Sequence, residues 1–238
     1  MNDSVAIVTD TNNHCLRAVN LETGQTSRFA GRCQIHGDSD GELLSEARFY
    51  YPRKLVLHKH NLYITDLKNN AIKVIREGHD HVVTVAQGGM ITSPRGITVD
   101  PFSTNDMAYV TTYNGLLKLD LKTNAVTKLT GGNEAPGSLS ASRPFMLNGL
   151  TFVTASILVI ADSQKFRLMV ADLARDKVTY ICDGRSETRN GDIKMCSLRT
   201  PISVLAMSWS IYIGETGSIR RLPLKAIISS ILPTDLIG

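Results

Sequence analysis

The 238-residue sequence contains no run of eighteen consecutive apolar residues, so nothing in it reads as a membrane-spanning helix. Its first ten residues, Met1-Asn-Asp-Ser-Val-Ala-Ile-Val-Thr-Asp10, lack the basic patch and long apolar core of a secretory signal. No Cys-x-x-Cys pair is present, which excludes a zinc ribbon or a thioredoxin-type motif. There is no Gly-x-Ser-x-Gly elbow, no phosphate-binding loop and no Gly-x-Gly-x-x-Gly, so the familiar hydrolase, kinase and dinucleotide signatures are missing. Aromatic residues are only 6% of the chain, a thin supply for stacking bases. The net charge is +4, and the cations are spread along the sequence rather than clustered, which argues against nucleic acid.

What is present is repetition. With 42% apolar residues the chain can bury a substantial core. A short apolar run closed by a polar pair recurs at intervals of about fifty residues: Ala6-Ile-Val-Thr-Asp10, Leu62-Tyr-Ile-Thr-Asp66, Ala108-Tyr-Val-Thr-Thr112, Leu158-Val-Ile-Ala-Asp162 and Ile211-Tyr-Ile-Gly-Glu215. Each is followed by a polar turn and a second alternating run, such as Ala71-Ile-Lys-Val-Ile75 or Phe166-Arg-Leu-Met-Val-Ala-Asp-Leu173. A third run ends near a glycine in four repeats, as in Ala125-Val-Thr-Lys-Leu-Thr-Gly131. A Pro-led apolar run completes the set at Pro52, Pro94, Pro144 and Pro201; proline fits the first residue of a strand, where no ladder donor is lost.

Four antiparallel strands per repeat, repeated five times, predict an all-β β-propeller, with repeats at about 4–57, 58–100, 101–153, 154–207 and 208–238. The second-strand element appears five times and the inner, Pro-led strand four times. The expectation is therefore five four-stranded blades, or an incomplete six-bladed ring in which the first blade lacks its inner strand or takes it from upstream sequence. Only Leu224 to Leu232 could form a short helix.

The order Pro-x-Gly-Ile-x-Val, Leu-Tyr-Ile-Thr-Asp, Asn-His-Cys-Leu-Arg, Leu-x-Thr-Gly, Phe-Ala-Gly resembles the NHL repeat, most closely over residues 8–57. The resemblance implies a propeller. Its family includes extracellular and membrane-tethered binding modules, RNA-binding ligase subunits and an amidating lyase. That lyase takes zinc-binding histidines from several blades, whereas here the histidines concentrate in the second repeat.

Several constellations carry alternative readings. Asp10, Asp66 and Asp162 occupy equivalent positions and are expected to cap their own turns by accepting backbone N–H groups. Asp38-Ser-Asp40-Gly41-Glu42 resembles half of a calcium loop, but the twelve-residue spacing is incomplete. His58 and His60, with His79 and His81, could bind zinc if their turns converged. Arg17, Lys73, Tyr113, Phe166 and Arg167 are candidates for a binding face, with snorkelling strand cations as the competing reading. Recognition is expected in the loops Arg32–Arg48, Asn133–Arg143 and Asp183–Arg199.

The four cysteines fall into two local pairs, Cys15 with Cys33 and Cys182 with Cys196. Two disulfides would imply an oxidising compartment; four buried thiols are the alternative. The functional expectation is a non-catalytic binding or scaffold module, extracellular or lumenal, whose partner is a protein or neighbouring domains of a larger assembly, with no resident cofactor and no membrane span. The alternatives are a cytoplasmic RNA- or protein-binding module and a divergent enzyme using calcium or zinc.

Overall fold

A run such as Ile157-Leu-Val-Ile-Ala-Asp162 is apolar at successive positions, which suits a strand buried on both faces. The computed structural model, described over residues 4–130, 137–142, 144, 146–182, 190–191, 193 and 196–231, places these runs in nineteen strands, two one-turn 3-10 helices (Thr11–Asn13 and Ser163–Lys165) and one α-helix. All the strand pairs are antiparallel. They form five sheets, the blades of a β-propeller.

Blade I holds β1 (Val5–Asp10), β2 (Cys15–Asn20) and β3 (Thr26–Ala30). Blade II runs from the axis outward through β5 (Pro52–His58), β6 (Asn61–Asp66), β7 (Ala71–Ile75) and β8 (His81–Gln87), with β4 (Gly41–Glu42) added at its edge. Blade III is β9 (Gly96–Val99), β10 (Met107–Thr112), β11 (Gly115–Asp120) and β12 (Val126–Lys128). Blade IV is β13 (Leu147–Phe152), β14 (Ile157–Asp162), β15 (Arg167–Asp172) and β16 (Lys177–Ile181). Blade V is β17 (Pro201–Met207), β18 (Ser210–Glu215) and β19 (Ser218–Pro223), followed by α1 (Leu224–Ile231). The Pro-led strand that closes each sequence repeat thus becomes the inner strand of the next blade.

Blades II, III and IV each hold the four blade strands, blade II with β4 added at its edge. Among the described residues blade I shows three strands, which match the second, third and outer strands of the other blades. Among the described residues blade V shows three strands, and α1 follows the third.

The core is divided among the blade interfaces. One apolar cluster joins blades I and II around Leu16, Phe49 and Ile64. Others join II with III (Tyr63, Ile72, Val110), III with IV (Tyr109, Leu158, Ile160) and IV with V (Val159, Val170, Ile213). On each second strand, adjacent residues point to opposite faces and so serve different interfaces. Side-chain hydroxyls also stitch blades together: Thr11 Oγ1 donates to Pro52 O at 2.7 Å between blades I and II, and Ser163 Oγ donates to Pro201 O between blades IV and V.

Turn capping occurs, but at the end of the third strand. Asn20, Asp120 and Asp172 each accept two backbone N–H groups from the turn that follows. Gly24, Asn124 and Asp176 take the left-handed positions of those turns, with φ of 70°, 60° and 51°.

Candidate binding face

Loops entering the inner strands and turns between second and third strands share one face of the propeller. On it, blade I's first turn ends at His14, which has φ 61°. Its imidazole is buried and packs edge-on against Tyr50 and Tyr51, with ring centroids 5.4 and 4.8 Å away. His36 stacks on Tyr50 at 4.3 Å and faces solvent. Burial lowers the His14 pKa, and the neighbouring His36 lowers it further.

The cluster is held from several sides. The Cys15–Cys33 disulfide fixes the loop beside His14, and Gln34 N–H donates to Asn13 O at 2.7 Å. Tyr51 N–H donates to His14 Nδ1 at 3.3 Å, and Asp66 Oδ1 accepts Tyr50 N–H at 2.8 Å. Glu215 accepts Arg199 N–H in the same way before Pro201. The second-strand carboxylates of blades II and V therefore anchor the loop into the inner strand, and Asp66 also accepts Asn69 Nδ2 from its own turn at 2.7 Å. Asp10 and Asp162 leave their turns uncapped; they bind Arg17 and Arg167.

Next to Tyr51-Pro52 lies Arg53. Its Nη2 donates to Asn148 Oδ1 at 3.1 Å, and Arg95 Nη1 reaches the same oxygen at 3.4 Å. Arg53 is on blade II, Arg95 enters blade III and Asn148 is on blade IV, so three inner strands meet at one amide. Asn148 Nδ2 donates to Ser163 Oγ, which fixes the amide's orientation and carries the bonding on to blade V. Burial, reinforced for Arg53 by the charge of Arg95, pushes both guanidinium pKa values down.

The other expected site residues are placed as follows. Asp38 and Asp40 both bind Lys73 Nζ, at 3.1 and 2.9 Å, and Thr84 donates to Asp40 through its backbone and hydroxyl. Burial of Asp40 alone would raise its pKa, but these bonds outweigh it and hold the carboxyl low. Glu42 points elsewhere and accepts Ser45 Oγ. Lys73 is fully buried, so it offers no exposed cation. His58 finds the carboxylate that sequence proximity did not provide: Asp106 of blade III, 2.8 Å away and also bound by Lys59. His60 lies 3.6 Å from Glu77 instead, so the two histidines have separate partners. Among the described residues no three His, Cys, Asp or Glu side chains converge as a metal site.

Arg17 is 2.6 Å from Asp10, and Arg167 is 3.0 Å from Asp162 while stacking over the Tyr180 ring. Phe166 is half-buried at the end of its turn, and Tyr113 is exposed. Both cysteine pairs are disulfides. Of the expected recognition loops, 133–143 is described over 137–142, and 183–199 only at 190, 191, 193 and 196–199. The sequence reading missed His14, His36, Tyr50, Tyr51, Arg53, Arg95 and Asn148. The recurring Pro52-Arg53 and Pro94-Arg95 pairs were their one local sign.

No protein-family model matches this chain, and no curated protein matches it in sequence. Solved structures do. A chain of a nidogen/laminin complex is 18% identical with a TM-score of 0.64, the match covering 94% of this protein and 73% of that chain. An auxiliary nutrient binding protein from Bacteroides thetaiotaomicron is 14% identical with a TM-score of 0.65; the match covers 93% of this protein and 52% of that one, about half its length. A streptogramin B lyase is 12% identical with a TM-score of 0.57, covering 94% and 66%. At these identities the likeness is one of fold, the β-propeller.

Proposed function

We propose that this protein is a non-catalytic, NHL-like propeller that binds a protein partner in an extracellular or lumenal setting. The observation that carries the reading is the accessible aromatic cluster of His36, Tyr50 and Tyr51 beside Arg53 and Arg95. Tyrosine and arginine are enriched where protein interfaces concentrate their energy, and a rigid cluster loses little entropy on docking. The two disulfides support an oxidising compartment. Two structural neighbours bind: one forms part of a nidogen/laminin complex, the other is named for nutrient binding. The strand cations an RNA-binding face would need are bound within the protein, Arg17 to Asp10, Lys73 to Asp38 and Asp40, and Arg167 to Asp162, which favours a protein partner.

The test is a screen of the immobilised protein against purified secreted proteins, repeated with His36→Ala/Tyr50→Ala. A partner captured by the parent and lost by this variant, with its thermal unfolding unchanged, supports the assignment. A partner that binds the variant equally well overturns this face as the docking surface.

A further inference from the structure

Arginine side chains at protein surfaces normally end on a carboxylate or in open water. Arg53 and Arg95 do neither fully. Both are half-buried, and no carboxylate among the described residues pairs with either. The blades draw two like charges toward one neutral oxygen, Asn148 Oδ1, whose residue is 4% exposed. One amide oxygen can satisfy two N–H groups but cannot neutralise two cations. Beside them, Arg95 Nε is buried without a hydrogen-bond partner, as is Thr92 Oγ1 in the loop leading to Arg95. Buried polar atoms left unsatisfied are uncommon and costly in a native structure. Here two of them accompany an excess of positive charge.

The fixed guanidinium fork gives the missing group a shape. An arginine Nε and Nη pair presents parallel donors that match the two oxygens of a carboxylate. Asn148 cannot swing away to accommodate a different geometry, because Ser163 and Pro201 tie down its far side. The geometry points to a carboxylate-binding site at this mouth of the propeller, formed by Arg53 and Arg95 and oriented by Asn148. The source is either an Asp or Glu side chain of a protein partner or a free carboxylic acid. This deepens the protein-binding proposal, yet it does not need the partner's identity.

The test follows the arginine Nε–Hε signals of 15N-labelled protein during titration with acetate, succinate and inorganic phosphate at constant ionic strength. A saturable shift of the Arg95 signal by acetate or succinate is expected, with Kd on the order of 1 mM for so small a ligand. Arg53→Gln should weaken binding about tenfold or more. Arg95→Lys, which keeps the charge and loses the fork, should weaken it as well. An unsaturable or absent shift overturns the site. Equal binding by phosphate overturns the carboxylate assignment, and full affinity in Arg95→Lys overturns the fork geometry. A partner from the protein screen that carries an essential Asp or Glu identifies the protein as the source; saturable succinate binding with no such partner identifies the free acid. Failure of the docking proposal is read separately, from the His36/Tyr50 variant.

Discussion

Blades IV and V have second strands of the same length and register, yet different surroundings. In β14, Val159 and Ile160 are both fully buried, one against blade V and the other against blade III. In β18, Ile213 is buried against blade IV, while its neighbour Tyr212 is 37% exposed. Blade I mirrors this: Ile7 packs toward blade II, and Val8 is 40% exposed. The four interfaces of blades I to V are filled, and among the described residues no apolar cluster joins blade V to blade I. Among the described residues, blades II to IV are thus packed on both sides and blades I and V on one. The disulfides are also unevenly distributed. One lies in blade I and the other joins the end of β16 to the loop entering blade V; blades II and III have neither. The second disulfide is itself buried in the apolar cluster between blades IV and V.

The largest expected effect comes from cutting an internal interface. Ile160→Ala removes a fully buried side chain between blades III and IV, and should cost about 2–5 kcal/mol in denaturant unfolding. A cost as small as that of an outer-face substitution would break the contrast.

Protonation offers a second contrast, between residues at one repeat position. Burial raises the Asp66 carboxyl to about 7, against which the bonds from Tyr50 and Asn69 act only partly. At the chain's first blade, Asp10 is lowered, chiefly by its bond to Arg17. The signs oppose. Asp66 contributes stability that is complete below the unfolded carboxyl pKa, about 3.9, and is lost as pH rises through about 7. Asp10 contributes stability present above about 3.9 and lost as pH falls through its lowered folded value. Asp66→Asn should therefore flatten a decline of stability between about pH 4 and 7, of up to about 1.4 kcal/mol per pH unit. Asp10→Asn should leave that decline intact and remove part of the loss in acid. Unfolding midpoints across this range measure both, and parallel profiles would refute the assignment.

Next in size are the disulfides. Reducing Cys182–Cys196, which closes a loop with a sequence separation of 14, should cost about 3 kcal/mol by chain entropy. Hydrogen exchange should show the loss in blades IV and V and spare blade II; uniform loss would mean that the blades unfold as one unit.

The propeller was legible because each repeat shows its strands and turns locally. Which face of a strand meets which neighbour was not, since Leu158-Val-Ile-Ala161 is apolar at every position and periodicity cannot orient it. The candidate site was least legible. Asp38 and Asp40 do gather around a cation, but it is Lys73, on a strand of the same blade and 33 residues from Asp40. Arg53 and Asn148 are 95 residues apart, and only the closure of blades onto the axis brings them together. Turn capping was expected from chemistry that does operate, one strand further along, at Asn20, Asp120 and Asp172.

The smallest effect on stability belongs to the uncovered side of blade V. Leu205, Met207 and Tyr212 are exposed there, as are Trp209 in the hairpin turn and Ile219 on β19, at 84% and 79%. Partly exposed side chains have less transfer energy to lose, so Leu205→Ala and Tyr212→Ala should each shift stability by about 1 kcal/mol, against several for Ile160→Ala. The pair sharpens the comparison because Tyr212 and Val159 hold the same strand position and differ in whether a further blade covers them. Leu205→Glu adds a charge where solvent already reaches, and should be equally mild in unfolding while it lowers any tendency of this apolar surface to associate. Sedimentation of parent and variant reads that second property independently. A destabilisation above 2 kcal/mol for Leu205→Glu would mean that the side chain is covered in solution, and the difference between internal and outermost blades would have to be withdrawn for blade V.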